Sequence, residues 1–401
     1  MDFAFDRDEE EEEEMEEDQV PLSSRSSSET ALRPPTKQDE DEAFFGKGPK
    51  FTKQEVLALG KELVREFFAS KTAYDVMAKA GRVVVFDVGI SLRSVLGGLL
   101  ENDIKGASLW SPDEQRLVGV ITLTDFADLY RHCYQVKDPN PNLIMDSHTV
   151  NTWRVMLGKK TSGPVATNLP GKEVAASLIQ ERPNVLLPLH SLSPTSTLLE
   201  AVSALLNNKV NRMPVVDGST QTMLYMMTLQ TILDYMVGHF MADRNGFLEE
   251  SIYNMGVGTY CEPAASKVMQ CAQLKPAREL ITATPDMKMS QVCDLFAQHQ
   301  VSIVPIVDPK TNWVRDLFNR SYLPTLKWSE ANWFERPVSE VIDQHASHCQ
   351  QLETVHTCSP KDSLVKIITQ FFETKARILV VVDHDSFCGV VTLSDVFGHF
   401  V

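Results

Sequence analysis

No apolar run in this 401-residue chain is long enough to cross a bilayer, and the N-terminus is acidic where a secretory leader would be basic. A spanning helix and a signal peptide are therefore not expected. Cysteine is sparse and scattered, at 133, 261, 271, 293, 349, 358 and 388, with no C-x-x-C. An odd, dispersed set fits reduced thiols in an intracellular protein better than a disulfide framework. The chain also lacks G-x-x-x-x-G-K-S/T, G-x-G-x-x-G, H-E-x-x-H and G-x-S-x-G. Phosphate-loop, dinucleotide, zinc-peptidase and serine-hydrolase chemistries thus lose their usual anchors. One His/Cys cluster exists, His345, His348, Cys349, His356 and Cys358, but its spacing matches no tetrahedral zinc template. It reads as a polar loop with incidental histidines, Cys358 falling on a strand. The expectation is a protein without catalytic residues or a metal site.

Charge is abundant but uneven. Acidic side chains outnumber basic ones 54 to 38, and residues 1–50 hold 17 of the former and 6 of the latter. The run DEEEEEEMEED (8–18) repels itself, and SSRSSSE (23–29) with Pro34 and Pro35 cannot build a core. Residues 1–50 therefore read as a disordered acidic tail. The apolar fraction of 43% leaves enough for sizeable cores in more than one domain. Order is predicted from Thr52, where Thr52 and Glu55 form a capping box ahead of Val56, Leu59, Leu63 and Phe67 at helical spacing. This helix is expected to pack across the first repeat or on another subunit.

A 21-residue interval recurs four times: Asp87 to Ser108, Ser193 to Pro214, Thr284 to Pro305 and Ser359 to Val380. Each contains an apolar residue five positions in (Leu92, Leu198, Met289, Leu364) and closes inside ASLW (107–110), MPVVD (213–217), VPIVD (304–308) or LVVVD (379–383). A further element follows: VITLTDF (120–126), MMTLQTIL (226–233), DLFNRSYL (316–323) and VVTLSDVF (390–397). The unit reads strand, helix, strand, strand, helix, roughly 60 residues long. Ser91 is expected to cap the first such helix. Ser193-Pro194, Thr284-Pro285 and Ser359-Pro360 have the form of a hydroxyl cap followed by proline and are read as starting the others. The connection 155–185 reads as a loop.

One unit leaves an apolar sheet face bare, so units should pair and leave a cleft between them. Two repeating positions would line it. Three residues before each interval closes stand Lys105, Asn211, Ser302 and Arg377, all polar at the lip of an apolar strand. At the turn into each final element stand Asp125, Thr231, Tyr322 and Asp395.

These stretches resemble a known family. AYDVM (73–77), VVVFD (83–87), LVGVITLTDF (117–126), NTWR (151–154), NNKVNRMPVVD (207–217), VGTY (257–260), FAQHQVSIVPIVD (296–308) and VVVDHDSFCGVVTLSD (380–395) look like cystathionine-β-synthase (CBS) domains. In this order the four repeats are similar to the gamma regulatory subunits of AMP-activated protein kinase, over residues 65–401. The resemblance implies an α/β fold of four CBS repeats (β-α-β-β-α) forming two Bateman modules in a flat disc. Its divisions would be the acidic tail at 1–50 and repeats at 51–137, 138–242, 243–329 and 330–401.

The resemblance also implies a site. The family holds ribose hydroxyls on aspartates at the positions of Asp125 and Asp395, supported by Thr122, Thr392 and Ser394. It surrounds the adenosine at the fourth-repeat aspartate with Thr259, Ala264 and Ser302. Phosphates would fall to Lys105, Asn211, Arg212 and Arg377. Taken alone, each aspartate is an ordinary helix cap, worth about 1 kcal/mol. The phosphate side departs from the family: Lys105 replaces an arginine, Asn211-Arg212 a His-Arg pair, Gln230 and Thr231 a lysine and an arginine. Tyr322 stands where the third aspartate would be, Arg377-Ile378 replaces a second His-Arg pair, and Arg320 is a candidate substitute for a lysine. Charge-assisted contacts are worth about 1.5–3 kcal/mol each, so nucleotide sensing is expected to be reduced, strongest at the fourth site and next at the first.

Implied ligands are AMP, ADP and ATP, with no cofactor. Implied partners are a catalytic alpha-type and a scaffolding beta-type kinase subunit, with neither nucleic acid nor membrane insertion. The implied location is the cytoplasm, with the nucleus as a second compartment. A structural gamma-like scaffold insensitive to nucleotide is the competing reading.

Overall fold

The computed structural model describes residues 52–77, 83–137, 141–157, 189–241, 246–261, 280–326, 333–346 and 354–401. The acidic tail, most of the 155–185 connection, Ala264, His348 and Cys349 lie outside the described residues. All the described elements belong to one unit, Thr52–Val401.

Helix α1 (Lys53–Ser70) opens on the expected capping box: Glu55 N–H donates to Thr52 Oγ1 at 3.3 Å and Thr52 N–H to Glu55 Oε2 at 2.7 Å. Repeat 1 then runs β1 (Val85–Asp87), α2 (Leu92–Glu101), β2 (Gly106–Ser111), β3 (Arg116–Thr122) and α3 (Leu123–Gln135), followed by α4 (Pro141–Ser147) and α5 (Val150–Leu157). Repeat 2 contributes α6 (Leu198–Asn207), β4 (Met213–Asp217), β5 (Thr222–Met227) and α7 (Leu229–His239). After α8 (Ile252–Met255) and β6 (Thr259–Tyr260), repeat 3 supplies α9 (Met289–His299), β7 (Ile303–Val307) and β8 (Val314–Asn319). Helix α10 (Val338–Ala346) precedes β9 (Thr357–Cys358), α11 (Leu364–Thr374), β10 (Ile378–Asp383), β11 (Ser386–Thr392) and α12 (Leu393–Phe400) of repeat 4.

The sequence interval is a pairing register. Phe86 faces Leu109, Leu192 faces Val215, Ala283 faces Ile306 and Cys358 faces Val381, each pair in parallel orientation. Every pair brackets the 21-residue interval by one residue at each end. The strand that closes the interval then forms an antiparallel hairpin, and each hairpin shifts register at the same place: after Leu109, Val215, Ile306 and Val381.

Two expectations about helix ends are corrected. Ser193-Pro194, Thr284-Pro285 and Ser359-Pro360 do not start helices. They form turns in which Ser193, Thr284 and Ser359 carbonyls accept from Ser196 (3.0 Å), Met287 (3.1 Å) and Asp362 (3.0 Å). Proline's fixed φ suits the second position of such a turn. The helices begin one turn later, at N-caps Thr197, Lys288 and Ser363, in line with Ser91 in repeat 1. The final element of repeat 3 is a 3-10 helix, Arg320–Thr325, not an α-helix. Pro324 lies inside it, and proline lacks the N–H that a continuing α-helix needs.

The segment leading into each repeat docks on the neighbouring repeat of its pair. Residues 71–74 meet repeat 2, where Leu198 N–H donates to Lys71 O (2.9 Å) and Ala73 N–H to Ser196 O (2.8 Å). In return, Leu92 N–H of repeat 1 donates to His148 O at 3.0 Å and Val150 N–H to Ile90 O at 2.9 Å. Repeats 3 and 4 exchange in the same way, with Leu364 N–H on Glu250 O (3.0 Å) and Met289 N–H on Arg336 O (2.9 Å). Helix α1 follows its own continuation onto repeats 2 and 4, not repeat 1. Phe67 packs on Phe240 (4.8 Å between ring centres), Phe68 on Phe397 (5.9 Å), and Arg65 Nη1 donates to Val401 O at 3.3 Å.

Four cores result. One joins α1 to the helices of repeats 2 and 4, a second belongs to repeat 1, and a third draws Ala127 and Tyr134 of α3 into repeat 3. The fourth is the sheet-to-sheet contact of repeats 3 and 4, built from Val307, Leu317, Ile378, Val380, Phe387 and Val390. Sheets therefore pair within 3–4, and helices pair 1 with 3 and 2 with 4.

Candidate nucleotide clefts

The backbone brings lip and turn together in each repeat. Gly106 pairs with Thr122, and Leu123 N–H donates to Lys105 O at 3.1 Å, so Lys105 adjoins the turn carrying Asp125. Ile378 pairs with Thr392, which sets Arg377 beside the turn carrying Asp395. Met213 pairs with Met227, so Asn211-Arg212 precedes one strand while Thr228 follows the other. Arg320 N–H donates to Ser302 O at 2.9 Å.

Asp125 and Asp395 are each the third residue of a capping box. Asp125 Oδ2 accepts from Thr122 N–H (2.7 Å) and Thr122 Oγ1–H (2.8 Å). Asp395 Oδ2 accepts from Thr392 N–H (2.9 Å) and Oγ1–H (2.7 Å). The cap thus fixes each carboxylate's rotation while using one oxygen, and a carboxylate offers about four acceptor sites. Repeat 2 keeps the cap without the charge: Thr231 Oγ1 accepts from Thr228 N–H at 2.9 Å. Repeat 3 loses the charge and moves the cap: Tyr322 is buried and packs edge-on against Phe318 at 6.1 Å, and Asn319 Oδ1 accepts from Ser321 N–H at 2.9 Å.

Asp125 is exposed, yet it faces the meeting point of several repeats and not open solvent alone. Its charge acts on two largely buried guanidiniums, Arg212 of repeat 2 and Arg320 of repeat 3. Burial, then the charge of Arg377, pushes Arg212 down to about 10, with Asp125 opposing. Burial pushes Arg320 down to about 10, again opposed by Asp125. A Cβ on Gly106 would stand 3.2 Å from Arg212 Cδ, which places the Arg212 side chain over the base of the β2–β3 hairpin. Lys105, Thr122, Asp125 and Arg212 are therefore neighbours, Arg320 pairs with Asp128 one turn further along α3, and the charge of Arg377 reaches Arg212. The 3-10 turn delivers Arg320 there, a geometry that a helical reading of DLFNRSYL conceals. Asn211 is exposed and stands at the same lip.

At the fourth-repeat turn, β6 adds an edge strand, Thr259 opposite Val390 and Tyr260 opposite Gly389. Thr259 therefore lies two residues along from the strand end at Thr392. Tyr260 donates to Val257 O at 2.9 Å, and its hydroxyl pKa is raised by burial first and by Cys358, Cys388 and Asp395 after that. Ser394 is half-buried on the same turn. Ser302 is exposed beside Ile303, whose side chain packs against the core containing Ile378. Ser302 and Arg377 thus flank one seam. Arg154 of NTWR, which the lip-and-turn pattern does not select, donates from Nη2 to Val118 O at 2.7 Å.

Among the described residues no group of three or more His, Cys, Asp or Glu could hold a metal ion. None of the described helices is long and apolar enough to cross a membrane. Cys358 lies buried in β9.

A CBS domain family profile matches residues 183–238 and 352–401, which fall on repeats 2 and 4. These two stretches carry CBS domains. The chain is similar over 351 residues to the 5'-AMP-activated protein kinase subunit gamma of Dictyostelium discoideum, at 28% identity over 85% of this chain and 53% of that one. Against the human subunit gamma-3 the identity is 27% over 345 residues, 85% of this chain and 61% of the human protein. The chain thus spans 53% to 61% of the length of these relatives. Its fold matches a Methanocaldococcus jannaschii crystal structure described as a candidate archaeal homologue of the kinase's gamma subunit. That match has a TM-score of 0.55 at 15% identity, covering 82% of this chain and all of the other.

Proposed function

We propose that this CBS-domain protein is a non-catalytic, gamma-type regulatory subunit of an AMP-activated kinase, binding AMP, ADP or ATP between its repeats. The observation that carries this reading is the convergence of Asp125, Arg212, Arg377 and Arg320 from four repeats. A carboxylate pre-oriented by its capping box suits vicinal ribose hydroxyls, and guanidiniums beside it suit phosphate. The relatives' names, kinase gamma subunits, support a place in a kinase complex; the proposal adds catalytic alpha-type and scaffolding beta-type subunits as partners and the cytoplasm or nucleus as the setting. Nucleotide would act by population shift, favouring a kinase state only to the extent that it binds that state more tightly.

Reduced sensing is part of the proposal, because Asn211, Gln230, Thr231 and Tyr322 bring no charge to the clefts. The fourth site, with Thr259, Thr392, Ser394 and Asp395, would dominate, and the first, with Lys105, Thr122, Asp125 and Arg212, would follow. Titration calorimetry of the full chain with AMP, ADP and ATP tests this. Weak binding that Asp395→Ala largely removes is expected; three uniform micromolar sites would overturn the reduction.

The uncharged Asn211, Gln230 and Thr231, where the family carries cations, favour a second reading, a scaffold that holds kinase subunits without reading nucleotide. Thermal shift with AMP separates the two. Ligand at 100 times its dissociation constant stabilises by about 2.7 kcal/mol, and an unmoved midpoint supports the scaffold.

A further inference from the structure

The seam between repeats 1 and 3 buries a charged pair, where the seam between repeats 2 and 4 keeps its ion pair at the surface. On α3, Asp128 lies one turn beyond Asp125 and therefore on the same face. It forms an ion pair with Arg320 Nη2 in which the side chains are only 4% and 7% exposed. The corresponding residue of repeat 2, Asp234, is paired instead with Lys375 at the surface, 38% and 51% exposed. Further along α3 the buried Arg131 reaches Asp294 of α9 at 3.5 Å, and Tyr134 Oη donates to Glu335. Arg320 thus stands between two carboxylates of one helix, the buried one closing the seam and the exposed one turned to the first cleft.

A guanidinium shared in this way has one charge to distribute. A phosphate arriving beside Asp125 and Arg212 would compete with Asp128 for it, since charge-assisted contacts to guanidinium are directional and strong. We propose that Arg320 is a positioning residue linking the first cleft to the 1–3 seam, with Asp128 and a bound nucleotide phosphate competing for its guanidinium. The inference rests on the nucleotide reading above. First-site occupancy would then loosen the charged 1–3 seam and leave the 2–4 seam untouched.

The test is calorimetric titration of AMP into the full chain carrying Asp395→Ala, which isolates the first site, with Asp128→Asn or Arg320→Gln added. Melting temperature is read beside each titration. Both variants break a buried pair and should lower the melting temperature. Their effects on AMP should be opposite: Arg320→Gln weakening it about tenfold or more, Asp128→Asn tightening it severalfold by releasing the guanidinium. Arg320→Lys should recover part of the loss. A purely structural pair would move both affinities the same way or neither, and either result overturns the proposal. Failure of AMP to bind the Asp395→Ala parent and the unmodified chain alike would instead remove the nucleotide reading itself, and this inference with it.

Discussion

Gly106 and Arg212 are in close apposition across repeats 1 and 2. A methyl group on Gly106 would stand 2.9 Å from Thr122 Cγ2, 3.0 Å from Ile121 O and 3.2 Å from Arg212 Cδ. The two nearest atoms belong to the strand it pairs with, so Thr122 and the backbone at Ile121 must shift as well as the flexible arginine. Gly106→Ala should therefore cost about 1–3 kcal/mol, the usual range for overpacking, measured by urea unfolding. If Arg212 holds phosphate, the same change should weaken AMP binding at the first site.

Gly389 performs the matching service for β6. A Cβ there would lie 2.5 Å from Thr259 O and 3.0 Å from Tyr260 Cδ1. Backbone cannot rotate aside as a side chain can, so Gly389→Ala should push β6 off the sheet. Amide exchange of Cys261, whose N–H donates to Cys388 O at 2.9 Å, should accelerate sharply. Unchanged protection there would show that β6 tolerates the substitution.

The 2–4 seam depends on aromatic packing. Phe68 and Phe397 are both fully buried, their rings 5.9 Å apart. Truncating a buried phenylalanine costs about 3–5 kcal/mol, so Phe68→Ala should lower the urea midpoint steeply. Because the two rings touch, Phe68→Ala and Phe397→Ala together should cost less than their sum. Strict additivity would show that the two rings contribute independently.

His399 gives the fold a pH dependence. Its Nε2 is buried without a hydrogen-bond partner, and burial, then the charge of Lys61, pushes the imidazole down to about 4 from 6.5. The folded state therefore favours the neutral ring. Its contribution is complete above pH 6.5 and is lost as pH falls from 6.5 toward 4, where the unfolded chain binds a proton that the folded chain refuses. The loss should be on the order of 1–2 kcal/mol at about pH 5. His399→Phe should flatten the profile over that window, and an unaltered profile would assign the effect elsewhere.

Much of this architecture is legible in the sequence because it rests on local chemistry repeated four times. The 21-residue interval reappears as a parallel pairing register, but the helix caps are Thr122 and Thr392, with Asp125 and Asp395 three residues inside closing capping boxes, where the linear reading takes each aspartate for the cap itself. Helix starts are misplaced at Ser193, Thr284 and Ser359 because hydroxyl followed by proline serves a turn as well as a cap. Tertiary hydrogen bonds to the exchanged segments decide between the two, and they leave no mark in a linear reading. The same holds for α1, whose apolar face fits any groove. Arg320 escapes the lip-and-turn pattern because Pro324 shortens its element to a 3-10 helix and turns the arginine toward α3. Asp128 is invisible as a partner for the same reason.

The reciprocal docking of lead segments sets the smallest piece of this chain able to fold. A fragment cut to one repeat would keep a lead with nowhere to sit and forfeit the one that covers its own first helix. Leu92, Leu198, Met289 and Leu364 each donate a backbone N–H into a segment that the chain supplies from elsewhere. Folding must therefore proceed by twos, and a ribosome releasing repeat 1 has to wait for repeat 2 before either is complete.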